Sequence, residues 1–553
     1  MKPLHVFLFC LMLLSNACQV TAQDQAMLSS DYDQLLEKYF DADGPGATAL
    51  VVKKGQVLYK GAIGKADLEN DVAMKVGHVH RIGSITKQFT AVSILMLMEQ
   101  GKLKLQDDIT RFIPDYPTKG KTVTVEHLLT HTSGIRSMTS MPGFFEAYER
   151  RNTSAEEMMD YFKNEPFDFE PGTQYRYNNS GYYLLGVIIE KASGMSYADF
   201  VKKNIFDKVG MKNSYYDNAQ QIIPMRAAGY VKEGDEYRNA NFLDMSVPYA
   251  AGSLLSTVED WYLWNQALRA GKLIKKESLE MAFTPYELNN GEKINYGYGW
   301  GIGKMFGSRV VQHGGGIHGF LTQGTYLPAE DVYVAVFSNC NCQPADGAAE
   351  ALAAIASEKY TSKKKISLSE AELKEYVGVY QVEDQQGKRT ILMDGDHLTS
   401  QRSGRDLYNI FPYEKDRFFF ENNLTTFEFV RDANGKIKGM NATALDGNVS
   451  YAALTDEEPL IRKAIEVAPE ILQQYVGDYE LVPGFNIVVT VKDGRLMGQP
   501  TNQGNYQLFA ESETFFFLKV VDAQVEFLKD EAGVFNKMKL MQGGQVMIGN
   551  KQE

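Results

Sequence analysis

The spacing of apolar residues changes along this chain, and each change marks an element. In ITKQFTAVSILMLMEQGK (residues 85–102) they cover nearly the whole helical circumference, which predicts a helix at the centre of a domain, with Gly101 just past its end. A second apolar helix is predicted for GYYLLGVIIEKASG (181–194), downstream of the turn PGT (171–173). INYGYGWGIG (294–303), TQGTYLPA (322–329) and VYVAVFSN (332–339) read instead as strands of an antiparallel sheet.

Past residue 370 the pattern becomes short alternating segments separated by D-G, N-G and G-K turns, and it repeats. LKEYVGVYQ at 373 is echoed by LQQYVGDYE at 472, and RFFFENNLTTFEFVRDANGKIKGM (417–440) by TFFFLKVVDAQVEFLKDEAGVFNKMKL (514–540). An offset of about one small domain predicts two all-β barrels or half-barrels, residues 368–456 and 467–553. The linker TDEEPLIRKAIEVAPE between them is expected to be partly helical. The strings Phe418-Phe419-Phe420 and Phe515-Phe516-Phe517 read as strand core rather than as a ligand platform.

With 553 residues, 44% of them hydrophobic, the chain can bury more than one core, and the pattern divides it into three domains. Residues 1–22 combine a basic start, an apolar run and a Val20-Thr21-Ala22 exit, which reads as a secretory leader and implies an exported, periplasmic protein with residues 23–362 as its first domain. Cys18 raises a lipoprotein alternative, but Ser15-Asn16-Ala17 fit a lipobox poorly. No other segment is long and apolar enough to predict a membrane span. A formal net charge of −13 argues against nucleic acid and anionic membrane as partners. Cys340 and Cys342, in FSNCNCQ, are expected to be buried or half-buried thiols. With no second ligand cluster, neither a metal nor another cofactor is predicted.

Three short motifs carry the chemistry. Ser84-Ile85-Thr86-Lys87 places a hydroxyl one helical turn from an amine at the start of the central helix. There the free N–H groups favour an oxyanion, and burial can lower a lysine pKa until the neutral amine takes the serine proton. By itself S-x-x-K is weak, since roughly two matches are expected by chance in such a length. Ser362 and Lys365 form a decoy in the basic run TSKKKISL, which reads as a solvated linker.

Tyr177-Asn178-Asn179 is predicted in a loop before the second helix. A tyrosine near a cationic amine can have a lowered pKa and shuttle protons, while an asparagine amide can hold both the lysine and a substrate carbonyl. His313-Gly314-Gly315-Gly316 follows a predicted strand. Its glycines let backbone approach substrate, the Gly316 N–H can join that of Ser84 at an oxyanion, and His313 is expected to point into the cleft. The rival HGGG loop of α/β-hydrolases is set aside because no G-x-S-x-G elbow occurs.

In this order the motifs resemble the class C β-lactamase and penicillin-binding-protein superfamily of serine hydrolases, which includes D-aminopeptidases, carboxypeptidases and esterases. RIGSITKQFTA, GKLKLQDDITRFIPDYP, TVEHLLTHTSGI, PGTQYRYNNSGYYLLG, AAGSLLSTVEDWYLW and HGGGIHGF carry the likeness over roughly residues 30–360. The resemblance implies an α+β fold, with an antiparallel sheet flanked by helices and a helical subdomain, followed here by the two all-β domains. It implies Ser84 as nucleophile, Lys87 as its proton acceptor, Tyr177 as general base and acid, and Asn179, His313, Gly315 and Gly316 as substrate-binding residues.

The resemblance also implies a small-molecule or short-peptide substrate, cleaved at an amide or ester. Relatives that bind carboxylates usually have lysine where this chain has His313. A mostly neutral histidine forfeits a charge-assisted contact worth about 1.5–3 kcal/mol, which lowers the expectation of β-lactam turnover, and histidine at this place resembles the D-aminopeptidases and esterases, implying small D-amino-acid-containing peptides as substrates. An esterase, a weak β-lactamase and a penicillin-binding module with slow deacylation remain alternatives. Oligomeric state is left open.

Overall fold

The computed structural model describes residues 22–552 except 235, 343–344, 360–362, 383–386, 404, 406, 421–423, 461, 483–484, 502–503 and 531, with side chains from residue 31 onward. Residues 1–21, which hold Cys18 and nearly all of the segment read as a leader, and Ser362 of the decoy motif lie outside the described residues.

Six antiparallel strands form the sheet of the first domain: β1 (Ala47–Lys53), β2 (Gln56–Ile63), β3 (Gly301–Met305), β4 (Ser308–Ile317), β5 (Phe320–Leu327) and β6 (Val332–Ser338), in the order β3-β4-β5-β6-β1-β2. Successive side chains of a strand point to opposite faces, so the unbroken apolar run of β6 serves two cores. Val332, Val334 and Val336 join one cluster with Tyr32 and Leu36 of helix α1 (Ala22–Tyr39) and Leu352 of a late helix. Tyr333, Ala335 and Phe337 join the larger cluster on the other face.

That larger cluster surrounds α2 (Thr86–Glu99) and α3 (Asn179–Ser193), the two helices expected from apolar spacing. Every residue of α2 from Thr86 to Leu97 is buried, as an apolar surface all round requires. The late helix is α4 (Ala345–Ala356). Among the described residues no helix is long and apolar enough to cross a membrane.

Two expectations need correction. INYGYGWGIG does not begin as a strand: β3 starts only at Gly301, and Tyr296 makes an isolated bridge to Gly301. The reason is Gly299, whose φ of +85° and close approach to α2 leave no space for a side chain; a Cβ there would lie 2.9 Å from the Lys87 carbonyl oxygen. Cys340 and Cys342 are not thiols but a disulfide. Cys340 is fully buried beyond the end of β6, and the turn that follows brings the two Cα atoms to 5.1 Å, within bridging range.

Each C-terminal repeat closes into an eight-stranded antiparallel barrel, one spanning Gly378–Leu454 and the other Gly477–Lys551. The echoed motif builds the same feature twice: Tyr380 Oη donates to the Tyr376 carbonyl at 2.7 Å, and Tyr479 Oη to that of Tyr475 at 2.9 Å. Phe418, Phe420, Phe516 and Phe517 are buried strand residues, in keeping with the reading of both strings as strand core. Among the described linker residues helix begins only at Pro469, in the short helix Pro469–Leu472. The N–H of Phe306 in the first domain donates to Leu445 of the first barrel at 2.6 Å, and that of Leu407 in the first barrel to Val520 of the second at 3.0 Å.

Candidate active site

Ser84 lies in a single 3₁₀ turn, Gly83–Ile85, that leads into α2. The turn packs along the outer edge of β4, which has β3 as neighbour only up to Gln312; a Cβ on Gly83 (φ +49°) would lie 3.0 Å from the Gly316 nitrogen. Gly315 fits the same junction, since a Cβ there would meet the Ile82 carbonyl oxygen at 2.0 Å. Glycine at both positions brings strand and turn close enough to share a cleft.

Lys87 occupies the first turn of α2 and is wholly buried. Its Nζ lies 3.0 Å from Ser84 Oγ, 2.8 Å from Asn179 Oδ1 and 2.8 Å from the carbonyl oxygen of Ala251. Among the described residues no carboxylate pairs with it, and burial holds its pKa well below the usual lysine value. This surrounding fixes the orientation of a neutral amine. Asn179 Oδ1 and the Ala251 carbonyl can only accept, so they take the two N–H groups, and the lone pair faces the Ser84 hydroxyl.

Asn179 is not in a loop, as its sequence context suggested, but is the first residue of α3, where Asn178 caps the helix by accepting from the Gly181 N–H at 2.8 Å. Asn179 Nδ2 donates to Thr139 Oγ1 at 2.9 Å, which orients its oxygen towards Lys87. The Tyr177 ring lies 4.8 Å from Lys87 Nζ, and its hydroxyl is within reach of Ser84. Burial raises the Tyr177 pKa, a shift only partly offset by the Ser84 hydrogen bond. The lowered value expected for a tyrosine beside a cationic amine does not occur, because a neutral Lys87 supplies no positive charge to stabilise a phenolate.

His313 is also buried, with Nδ1 2.6 Å from the Gly314 carbonyl oxygen and Nε2 2.9 Å from Tyr296 Oη. The carbonyl can only accept, so Nδ1 carries the proton and Nε2 accepts from Tyr296. Burial lowers its pKa to about 4. His313 is thus a neutral ring with both nitrogens engaged, and it borders a cavity behind Tyr177 rather than the one that holds Ser84.

The Ser84 cavity is about 340 Å³ and is lined by Asn179, Gly252 and Gly316 together with the apolar Met138, Phe144, Leu243 and Ile317. It shares Thr139, Phe144, Phe145 and His318 with a larger one of about 1000 Å³, whose far wall includes Gln499 and Thr501 of the second barrel. The barrel thus reaches the extended cleft.

Sequence reasoning assigned no role to Ala251 or His131. A backbone acceptor has no side-chain signature. His131 sits in the block TVEHLLTHTSGI; it is buried at a φ of +59°, accepts from the Asn178 N–H at 3.0 Å, and lies 4.3 Å from the Tyr177 ring. It supports the Tyr177-Asn178-Asn179 segment from beneath.

A helix-borne serine and neutral lysine, a tyrosine above them and a glycine-rich strand edge define a serine acyl-transfer site. Residues 32–357 match the Beta-lactamase family, and the chain belongs to it. Residues 362–457 and 461–548 each match a domain of unknown function, DUF3471. The chain is 31% identical over 503 residues to penicillin-binding protein 4* of Bacillus subtilis, covering 88% of this chain and 90% of that one. It is 26% identical to a D-aminopeptidase of Gluconobacter oxydans over 54% of this chain and 56% of that one. Among solved structures, a D-stereospecific amidohydrolase from Streptomyces aligns with a TM-score of 0.51 at 26% identity, over 57% of this chain and 95% of that one.

Proposed function

We propose that this protein is an exported serine amidohydrolase that cleaves small D-amino-acid-containing peptides or amides through a Ser84 acyl-enzyme. The observation that carries the reading is the environment of Lys87: two acceptors and no charged partner direct its lone pair at Ser84 Oγ. Lys87 takes the serine proton as Oγ attacks the carbonyl carbon, and the oxyanion meets the N–H groups of Ser84 and Gly316. Tyr177, which holds its proton, donates it to the leaving nitrogen as the C–N bond breaks and recovers one from Lys87. Water then attacks the acyl-enzyme with the same groups in reverse, releasing the acid and free Ser84.

Likeness to a D-aminopeptidase and to a D-stereospecific amidohydrolase supports the substrate class. Likeness to a penicillin-binding protein over most of both chains favours a second reading, in which deacylation is slow and the acyl-enzyme persists. Export to the periplasm rests on residues 1–22. Hydrolysis of D-alanine p-nitroanilide and p-nitrophenyl butyrate, each with Ser84→Ala as control, tests the proposal. Anilide turnover lost in the variant supports it; ester turnover alone points to an esterase, and a stable mass adduct with penicillin but no turnover favours the second reading.

A further inference from the structure

Behind the Tyr177 ring lies a second cavity of about 320 Å³, lined by Tyr175, Tyr177, Tyr296, His313, Asp346 and Glu350, with Gln312 and Gln323 on its floor. Tyr177 and His313 belong to the motifs already described, whereas Asp346 and Glu350 come from α4, one helical turn apart and so on one face. Two like charges at that spacing repel each other. Asp346 accepts from the Gly347 N–H at 2.9 Å, but among the described residues the Glu350 carboxylate has neither a hydrogen bond nor an ion pair.

Burial and the charge of Asp346 push the Glu350 carboxyl up to about 7, the direction taken by a desolvated carboxylate beside a like charge. Among the described residues no lysine or arginine lines the cavity, and the His313 ring is neutral. Two tyrosine rings at 5.8 Å, Tyr175 and Tyr296, supply faces of negative potential beside the carboxylates. Every group in this wall is neutral or negative, and the one partly buried charge has no partner.

We infer that the cavity between Tyr177 and α4 is a subsite for a cationic group, an alkylammonium carried on the leaving-group side of the substrate. The inference rests on the acyl-transfer reading for its placement, because in that reading Tyr177, which lines this cavity, is the group that protonates the leaving group. An ammonium there would neutralise Glu350 and Asp346 and lie against the tyrosine faces. A carboxylate in the same position would meet two like charges and no cation. The replacement of a motif lysine by His313 is then one half of an inverted charge, and the acidic face of α4 is the other.

The test uses the full chain and three thioesters at about pH 8.5, above the Glu350 midpoint: acetylthiocholine, its neutral isostere S-(3,3-dimethylbutyl) thioacetate, and a thioacetate whose leaving group ends in a carboxylate. The expected order of kcat/KM is cation, isostere, carboxylate, with the first two separated by about tenfold. In the Asp346→Asn, Glu350→Gln double variant the cation-to-isostere ratio should fall to within about twofold.

Equal rates for cation and isostere, or a preference that survives in the double variant, would overturn the subsite. Calorimetric binding of butyltrimethylammonium is read alongside. If no thioester is turned over and a fluorophosphonate leaves Ser84 unlabelled, the hydrolase reading fails. The subsite still stands if the ammonium binds the wild type and not the double variant, and falls if it binds neither.

Discussion

The interior around α2 and the interiors of the two barrels obey opposite rules. Thr86, Lys87, Gln88, Thr90 and Ser93 are all buried in the middle of the first domain, whereas the barrel cores are Tyr, Phe, Leu, Ile and Val with few polar groups. Burying a polar group costs free energy unless it is bonded, and burying an amine costs more. The hydrolase domain bears that cost at Lys87 and gains a basic amine beside Ser84. The barrels bear less of it: in the first, Arg389 is partly desolvated but donates to the buried Ser400 hydroxyl at 2.7 Å, and the repeated Tyr and Phe positions serve packing. Buried polarity therefore separates the part of the chain that does chemistry from the part that supports it.

The sharpest contrast comes from Lys87→Met. Acylation should fall by about 10³-fold or more, while thermal unfolding should show stability unchanged or raised by about 1–2 kcal/mol, because a buried amine gives way to an apolar side chain of similar length. A loss of both would mean that Lys87 is structural. Phe418→Ala, in the first barrel core, should do the reverse: a loss of about 3–5 kcal/mol in barrel stability, with the rate of Ser84 acylation per folded molecule within about twofold of wild type. Denaturant unfolding and active-site titration read the two effects separately.

A third contrast is in pH. His313 has its pKa lowered from 6.5 to about 4 in the folded protein, so the unfolded chain binds the extra proton between these values. Stability should fall as pH drops from about 6.5 to about 4 and then level off, with His313 contributing roughly 3 kcal/mol. His80 is lowered to about 3 by its own burial and acts in the same direction, so the difference between wild type and His313→Gln isolates His313. An identical slope in both proteins would remove His313 from this account. The smallest effect belongs to the barrels, where Tyr380→Phe or Tyr479→Phe removes one buried hydrogen bond and should cost about 1 kcal/mol each.

Features that rest on side-chain periodicity were legible before any coordinates. The apolar circumference of residues 85–99, the strand-like run VYVAVFSN and the repeat that echoes LKEYVGVYQ in LQQYVGDYE became a buried helix, a strand and two β-barrels as expected, because their pattern reflects which faces are buried. Gly299 shows the limit: an aromatic and glycine-rich string reads as a strand, yet the contact that stops it is with α2, far away in sequence.

Within the site, Ser84, Lys87, Tyr177 and Asn179 come together as their motifs suggested. The direction of the Tyr177 shift did not follow, because it depends on Lys87 being neutral, a property of the assembled interior. The Ala251 carbonyl, the approach of Gln499 and Thr501 to the cleft, and the acidic face of α4 beside Tyr177 also arise from tertiary contact alone.

The central claim is that Ser84 is the nucleophile and that a neutral Lys87 activates it. Its most direct test is the pH dependence of fluorophosphonate labelling, followed by intact mass and located by peptide mapping. The account predicts one adduct on Ser84, with a rate that rises to a plateau at a midpoint well below the ordinary lysine value of 10.5, and that is lost in Lys87→Met. An adduct on another residue, or a midpoint near 10.5, would contradict it.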